Sequence, residues 1–148
     1  QGSMEFGARA LGNRSILADP TKIEMKDRIN RLVKKREEFR PFAPMVIKDK
    51  QNVFFDVTDD VPYMNQIVQV KPEFKDKLPS ITHVDGTARV QLVEKTNTSI
   101  LRNILEEWYD KTGVPMLLNT SLNIKGQPMV DNWEDAKEFM EKYNVRVF

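Results

Sequence analysis

The sequence predicts one domain of the mixed α/β (α+β) class, and three observations predict it. The chain has 148 residues, which is the length of one typical domain. Hydrophobic residues make up 40% of it and charged residues 30%, a balance typical of globular and not of disordered proteins. Segments of helical periodicity alternate along the chain with short apolar runs of the strand type.

The first part of the chain predicts one helix and three strands. In ADPTKIEMKDRINRLVKKREEF, apolar residues recur at helical spacing, Pro20 suits the helix start, and Pro41 limits its end. FAPMVIKD is a predicted strand, and the alternation in MNQIVQV predicts another over residues 64–70. TARVQLVE alternates as well, which predicts a strand over residues 87–94 with Arg89 on its polar face.

The second part predicts two helices around a buried strand. SILRNILEEWYDKTG is amphipathic, with Ser99 as a suitable N-cap and Gly113 as the residue that ends the helix. VPMLLNTS predicts a buried strand that opens into a turn. NWEDAKEFMEKY predicts a last helix capped by Asn132, and VRVF a final strand. The residues of this last helix that we expect to face the core are Trp133, Ala136, Phe139, Met140 and Tyr143.

Composition excludes several kinds of site. The chain has no cysteine, which rules out disulfides, thiolate metal sites and a cysteine nucleophile, and which suits a reducing cytoplasm. No apolar run approaches the ~20 residues that cross a bilayer, so we expect no membrane partner. Net charge is only +1, but residues 1–40 carry ten basic and six acidic side chains. This early basic excess favours an anionic ligand, although we interpret Lys35 and Arg36 as a solvated helix face.

Two polar clusters lie in the first part of the chain. GARALGNRS combines glycines, which let backbone approach a ligand, with arginines, whose planar fork matches phosphate or carboxylate oxygens. KKREEFRPFAP places Arg40 between aromatic residues and a proline, where casual solvation is not expected. A salt bridge from Arg40 to Glu37 or Glu38 is an equally acceptable interpretation.

Two further clusters lie in the second part. ITHVDGTARV contains the only histidine, His83, and presents Arg89 just after an Asp-Gly turn. A lone histidine is more often a packing residue than a catalyst or a metal ligand. In LLNTSLNIKGQP a buried strand opens directly into asparagine and serine side chains. These side chains either bind a ligand at the strand end or hydrogen-bond their own turn. Together the four clusters offer cations and neutral hydrogen-bonding groups without a nucleophile–base pair, which predicts binding of a phosphorylated molecule.

Four long stretches in this order carry a resemblance to a known family. MEFGARALGNRSILADP, MKDRINRLVKKREEFRPFAP, ITHVDGTARVQLV and TGVPMLLNTSLNIKGQP resemble the C-terminal domain of the O-carbamoyltransferases of nodulation and antibiotic tailoring. The resemblance implies a YrdC-like fold, a twisted mixed sheet flanked by helices, over residues 1–148. It also implies that the chain is part of a larger two-domain enzyme and that residues 1–3 are either native or a cloning remnant.

The resemblance implies a reaction and a set of partners. The domain would form carbamoyl-adenylate from carbamoyl phosphate and ATP, with Mg²⁺ accompanying the ATP. A Kae1-type N-terminal domain in cis, which holds the metal of the transfer site, would pass the carbamoyl group to a hydroxyl acceptor.

The contacts of the family fall on residues that the polar clusters also mark. Arg40 and Arg89 would meet the carbamoyl phosphate, and Arg9 and Lys34 the phosphates of either substrate. Asn119 and Ser121 would orient the nucleotide or the carbamoyl amide. We expect no metal ligands on this chain, and His83 and Asp85 lie beside this set. Three residues depart from the family pattern, near the expected contacts and not at them: Ala8, Leu122 and Gln127 stand where proline, phenylalanine and glutamate are usual.

Two other functions remain as alternatives. A nucleic-acid-binding module would use basic residues with stacking aromatics, for which Phe39 and Phe42 are the candidates. A structural or regulatory partner domain would keep the fold without the chemistry.

Overall fold

Two β-sheets form the frame of the molecule. The structure is a computed structural model and describes residues 2–58, 60–97 and 100–146. Within these ranges the strands are β1 (Ser15–Ala18), β2 (Ala43–Ile47), β3 (Phe55–Asp56), β4 (Val68–Val70), β5 (Thr87–Ala88), β6 (Gln91–Val93) and β7 (Met116–Ser121). The larger sheet has the order β1-β7-β2-β6, and the smaller one has the order β3-β4-β5. In the larger sheet β7 runs antiparallel to β1 and β2, whereas β2 and β6 are parallel.

Helices cover the sheets. They are α1 (Ile23–Arg28), which continues as a π-helical segment over Ile29–Lys34, then α2 (Gln51–Phe54), α3 (Pro72–Lys75), α4 (Ile100–Thr112) and α5 (Trp133–Tyr143). A 3₁₀ turn over Lys48–Lys50 leads into α2. No helix among the described residues has both the length and the apolar character that a bilayer crossing demands.

The larger sheet is buried on both faces, which divides the core into two layers. Met45 and Leu117 of adjacent strands pack with Leu101 and Leu105 of α4 on one face. The residues next to them in sequence point the other way and join the larger cluster, which includes Phe139 of α5. This arrangement follows from the two-residue period of a strand. It confirms the predicted class, a mixed sheet flanked by helices.

Four predicted elements are confirmed with the chemistry that predicted them. FAPMVIKD forms β2 and VPMLLNTS forms β7. Helix α4 is followed by Gly113 at φ 72°, and the Gly113 N–H donates to the Tyr109 carbonyl at 2.7 Å. The Asn132 side chain accepts a hydrogen bond from the Asp135 N–H at 2.8 Å, so α5 has its predicted cap.

The predicted first helix ends earlier than its pattern suggested. Lys35 adopts a left-handed conformation (φ 50°, ψ 49°), and the chain from there to Arg40 is irregular. The cause is tertiary: the buried Asn30 amide donates to the carbonyl groups of Glu38 (3.1 Å) and Arg40 (2.8 Å). These bonds hold the following loop against the helix instead of continuing it.

Three other predictions need correction. The single strand over residues 87–94 is wrong, because the chain leaves the smaller sheet after Ala88 and enters the larger one at Gln91. The strand over residues 64–70 is reduced to Val68–Val70. Trp133 does not face the core, since 57% of it is exposed. Ser99 and the last two residues of VRVF lie outside the described residues, and Val145 and Arg146 are not in a strand.

Candidate anion-binding site

Three arginines from distant parts of the sequence lie close together. Arg9 lies in the loop before β1, Arg40 in the loop before β2, and Arg89 between β5 and β6. Burial, and then the positive charges of Arg9 and Arg40, lower the pKa of Arg89. Like charges lower a pKa in this way only at short range. The structure therefore brings together the three guanidinium groups that the sequence assigned to one site.

Arg89 has a buried nitrogen, its Nε atom, that the described residues leave without a hydrogen-bond partner. A buried donor without a partner is uncommon in native proteins and costs about 1–3 kcal/mol. Arg40 lies 3.8 Å from Glu37, as the alternative interpretation allowed, but both side chains are half exposed. Such a surface pair is worth about 0–1 kcal/mol and leaves the guanidinium free to meet a ligand.

A fourth arginine belongs to this group, and the sequence interpretation missed it. Arg36 is half-buried, its Nε donates to the Asn30 Oδ1 at 2.7 Å, and its guanidinium carbon lies 4.7 Å from the centroid of the Phe42 ring. Its pKa is lowered to about 10, mainly by burial and then by the positive charges of Arg40 and Arg89, against which Glu37 acts. The interpretation of Arg36 as a solvated helix face is wrong. For Lys35 only the exposure is confirmed, since its side chain is exposed but the residue lies past the end of the helix.

Lys34 fastens the end of the helix to the end of β7. Its ammonium nitrogen donates to the Ser121 carbonyl (2.6 Å) and hydroxyl (2.9 Å), and to the Asn123 carbonyl (2.9 Å) and amide oxygen (2.7 Å). The Ser121 hydroxyl donates in turn to the Asn123 amide oxygen at 2.7 Å. Burial, and then the charge of Arg36, lower the pKa of Lys34 to about 7. Lys34 and Ser121 thus meet, together with Asn123, which the sequence analysis had grouped only with the turn.

Asn119 holds the loop that carries Arg9. Its buried amide donates to the Ala10 carbonyl (3.1 Å) and to the Gln91 Oε1 (2.8 Å), and the Gln91 amide donates to the Leu11 carbonyl (2.9 Å). The Asn119 Oδ1 is buried without a partner among the described residues. In the structure Asn119 therefore positions Arg9, and its contact with a nucleotide stays a prediction.

The same loop is closed from its other side by Glu5. The N–H groups of Leu11 and Asn13 donate to the Glu5 Oε1 at 2.7 and 2.6 Å. A carboxylate that accepts two main-chain bonds gives the loop a fixed shape. The glycine- and arginine-rich opening segment is therefore an ordered support for Arg9.

His83 and Asp85 form the turn that precedes Arg89. The Thr87 hydroxyl donates to the Asp85 Oδ1 at 2.7 Å and lies 2.9 Å from the His83 Nδ1. Burial lowers the pKa of His83 more than the Asp85 charge raises it, and Arg89 lowers it as well. The described residues contain no group of three or more histidine, aspartate or glutamate side chains that could hold a metal ion. This turn can position Arg89, but it offers no metal site.

Comparison with known proteins agrees with the resemblance in the motifs. The family model described as "Carbamoyltransferase C-terminus" matches residues 1–148. The chain belongs to this carbamoyltransferase family. It is 49% identical over 139 residues to the nodulation protein NolNO of Sinorhizobium fredii, and 47% identical over 139 residues to the nodulation protein NolO of Bradyrhizobium diazoefficiens. An uncharacterized protein of Methanocaldococcus jannaschii, MJ1058, is 44% identical over 136 residues.

The relatives are much longer than this chain. Each of these three alignments covers 92% of the chain, but only 20%, 25% and 22% of the respective relative. The family assignment identifies a carbamoyltransferase C-terminal domain. The substrates of the arginine group follow from neither comparison and are argued below.

Proposed function

We propose that this domain binds carbamoyl phosphate and ATP at its arginine group and forms carbamoyl-adenylate. A separate N-terminal, Kae1-type domain would transfer the carbamoyl group to a hydroxyl. The single observation that carries the proposal is the cluster of Arg9, Arg36, Arg40 and Arg89, in which Arg89 has a buried nitrogen without a partner among the described residues. Membership in the carbamoyltransferase family names the reaction class that such a cluster would serve.

The cluster makes physical sense only with anions bound. Two unit charges ~4 Å apart repel by about 4 kcal/mol at an effective dielectric constant of 20. Four guanidinium groups that have Glu37 as their one ion-pair partner among the described residues therefore raise the energy of the ligand-free state. A bound polyanion replaces this repulsion between cations with attraction to the ligand. Two polyanionic substrates, in turn, need several cations in order to approach each other.

The chemistry asks the protein for positioning and charge, and for little covalent work. In the proposed reaction water first cleaves carbamoyl phosphate, which releases inorganic phosphate and leaves carbamate. A carbamate oxygen then attacks the α-phosphorus of ATP, so that a new P–O bond forms while the bond to the β-phosphate breaks and pyrophosphate leaves. Arg40 and Arg89 would hold the carbamoyl phosphate oxygens, and Arg9 and Arg36 the nucleotide phosphates. The Lys34 clamp, which is the set of hydrogen bonds from Lys34 to Ser121 and Asn123, would fix these two residues where the carbamoyl amide or the nucleotide needs hydrogen bonds.

Mg²⁺ enters this proposal as a companion of the nucleotide. Because the described residues lack a cluster of metal-ligating side chains, we assign the ion to the ATP phosphates and not to this chain. When bound there it would neutralise part of the phosphate charge. The proposed location is the cytoplasm, because ATP is available there and because a chain without cysteine suits its reducing conditions.

A nucleic-acid interface receives less support from the site. Of its two candidate stacking rings, Phe42 is buried beneath Arg36, and only Phe39 is exposed. Base stacking on aromatic residues is what holds single strands in such grooves.

The experiment measures binding to this chain by calorimetry and thermal shift. Carbamoyl phosphate and ATP with Mg²⁺ are expected to bind and to raise the Tm, since a ligand at 100 times its Kd adds about 2.7 kcal/mol. Arg89→Ala should lose carbamoyl phosphate binding at least tenfold, and in the longer enzyme it should abolish carbamoyl-phosphate-dependent pyrophosphate exchange. Arg31→Ala, an exposed arginine outside the cluster, is the matched control. Equal binding by the two variants would contradict the proposed site.

A further inference from the structure

A deep groove runs along the free edge of the larger sheet. Among the described residues β1 pairs only with β7, so its other side carries no strand. A cavity of about 980 Å³ lies along this edge. Its lining includes Leu17 and Leu101 from the layer of α4 and Ile16 and Ala136 from the layer of α5. Both covering helices therefore reach past the last strand and leave a slot between them.

The slot is apolar at its walls and carries unpaired polar atoms. Trp133 and Ile100 contribute to it with more than half of each side chain exposed. The Ser15 Oγ and the Trp108 Nε1, on two of its lining residues, are buried and have no hydrogen-bond partner among the described residues. Unpaired atoms of this kind cost free energy that a hydrogen-bonding occupant would recover.

An open strand edge flanked by two apolar helices fits one kind of occupant best. A further strand would pair with the main-chain groups of β1 and place its side chains alternately against α4 and α5. A lipid or another apolar molecule would fill the walls, but it would leave the edge and the two polar atoms unpaired. We propose that the groove between α4 and α5 receives an extended, apolar polypeptide segment, which adds a strand to β1.

The size of the relatives indicates where this segment comes from. Five relatives align with 92% of this chain, and the chain covers only 20–26% of their length. Between 74% and 80% of each of these relatives therefore lies outside the matched part. A second copy of this chain is a poorer candidate. In a second copy the β1 edge also lies between α4 and α5. Because a helix covers each face of that edge, it is thicker than a single strand and does not fit the groove. We therefore assign the occupant to the remainder of a longer polypeptide of the relatives' kind.

Peptide binding tests the assignment directly. The probes are overlapping 12-residue peptides that cover the part of Sinorhizobium fredii NolNO outside its match to this chain. The two tryptophans of the chain, Trp108 and Trp133, both line the groove, so intrinsic fluorescence reports on its occupancy. We expect a peptide with alternating apolar residues to bind, to shift the emission to shorter wavelength, and to slow hydrogen exchange of the amides in β1.

Two controls separate strand addition from unspecific apolar binding. N-methylation of alternate peptide nitrogens should weaken binding at least tenfold, because it removes main-chain hydrogen bonds and adds apolar surface. Trp133→Ala should weaken binding as well, whereas Tyr63→Ala, an exposed aromatic residue outside the groove, should not. The proposal is overturned if no peptide binds, or if binding survives both the N-methylation and Trp133→Ala. It is also overturned if the chain dimerises with its β1 amides protected and Leu17→Asp makes it monomeric.

Discussion

At the scale of single residues, the site contains two buried polar atoms that the described residues leave without a partner. These atoms are the Arg89 Nε and the Asn119 Oδ1. One is a donor and the other an acceptor, and they belong to residues that the sequence motifs had already marked. Since native proteins pair more than 90% of buried polar groups, two such exceptions at one site favour a ligand that supplies the missing partners.

Lys34 gives this site a measurable proton linkage. Its pKa lies at about 7 because of burial and of the nearby Arg36, so at pH 8 it is mostly neutral in the free protein. An anion bound beside it favours the charged form and raises the pKa. We expect binding of ATP at pH 8 to take up protons, and binding at pH 5.5, where Lys34 is already charged, to take up fewer.

Calorimetry in two buffers of different ionisation enthalpy measures this uptake. Lys34→Gln should remove most of it, and Lys26→Gln, which changes a lysine on α1 outside the clamp, should leave it intact. Proton uptake that is unchanged by Lys34→Gln would assign the linkage to another group.

Asn30 is a positioning residue for two of the arginines. Its side chain accepts from the Arg36 Nε and donates to the main chain of Arg40. We expect Asn30→Ala to lower the free energy of unfolding by about 1–3 kcal/mol, because buried partners lose their bonds, and to weaken ATP binding about tenfold. Ser80→Ala removes another buried side-chain bond, to the Lys22 carbonyl, and should lower stability alone. Equal affinities of the two folded variants for ATP would show that Asn30 has only a structural role.

At the scale of elements, the sequence predicted best where local chemistry decides the structure. Helices α4 and α5, and strands β2 and β7, combine clear periodicity with a glycine stop, an asparagine cap or flanking turn residues. The predictions for residues 35–40 and 87–94 were wrong for a different reason. Their patterns are compatible with a helix and a strand, but the Asn30 hydrogen bonds and the crossing between two sheets override them.

The same division explains which site residues were predictable. Arg9, Arg40 and Arg89 stand in loops, where motif and chemistry single them out. Arg36 lies in a segment whose pattern predicts a helix, so its side chain was predicted to lie on a solvent-exposed helix face. Its partners Asn30 and Phe42 are neighbours in space that no spacing rule reveals. The contacts of Asn119 with the loop that carries Arg9, and of Ser121 with Lys34, likewise join segments that are distant in sequence.

Gly12 illustrates a requirement that is set between elements. It adopts φ 131°, and a Cβ atom there would overlap the side chain of Leu101, a buried residue of α4. Gly7 adopts a similar φ of 123° with nothing near its missing Cβ, which makes it a matched control for the backbone effect. We expect Gly12→Ala to lower the free energy of unfolding by about 1–3 kcal/mol more than Gly7→Ala, because of overpacking. Urea denaturation measures both, and equal losses would mean that Leu101 moves aside without cost.

At the scale of the whole molecule, a net charge of +1 conceals two very different groups of cations. On one side Arg102 is buried and bonds to Asp49 (2.9 Å), Glu106 (2.8 Å) and the Val93 carbonyl (3.0 Å). By contrast, the arginines around Arg89 have the Glu37 carboxylate as their one ion-pair partner among the described residues. Arg102 stabilises the fold, whereas the arginines around Arg89 keep their charge available for a ligand at a cost in stability.

This contrast predicts opposite effects of two matched substitutions on the ligand-free chain. Arg102→Met should lower the free energy of unfolding by about 1–3 kcal/mol, since it breaks a buried main-chain bond and two ion pairs. Arg89→Met keeps the apolar stem, removes an unpaired buried nitrogen and relieves the repulsion from Arg9 and Arg40. It should therefore leave the free energy of unfolding unchanged or raise it, most clearly at low salt, where repulsion is least screened. Urea denaturation of both variants at low and high salt measures the difference. If Arg89→Met destabilised the chain as much as Arg102→Met, then Arg89 would be a structural residue, and the arginine group would lose its claim to be an anion site held ready for substrate.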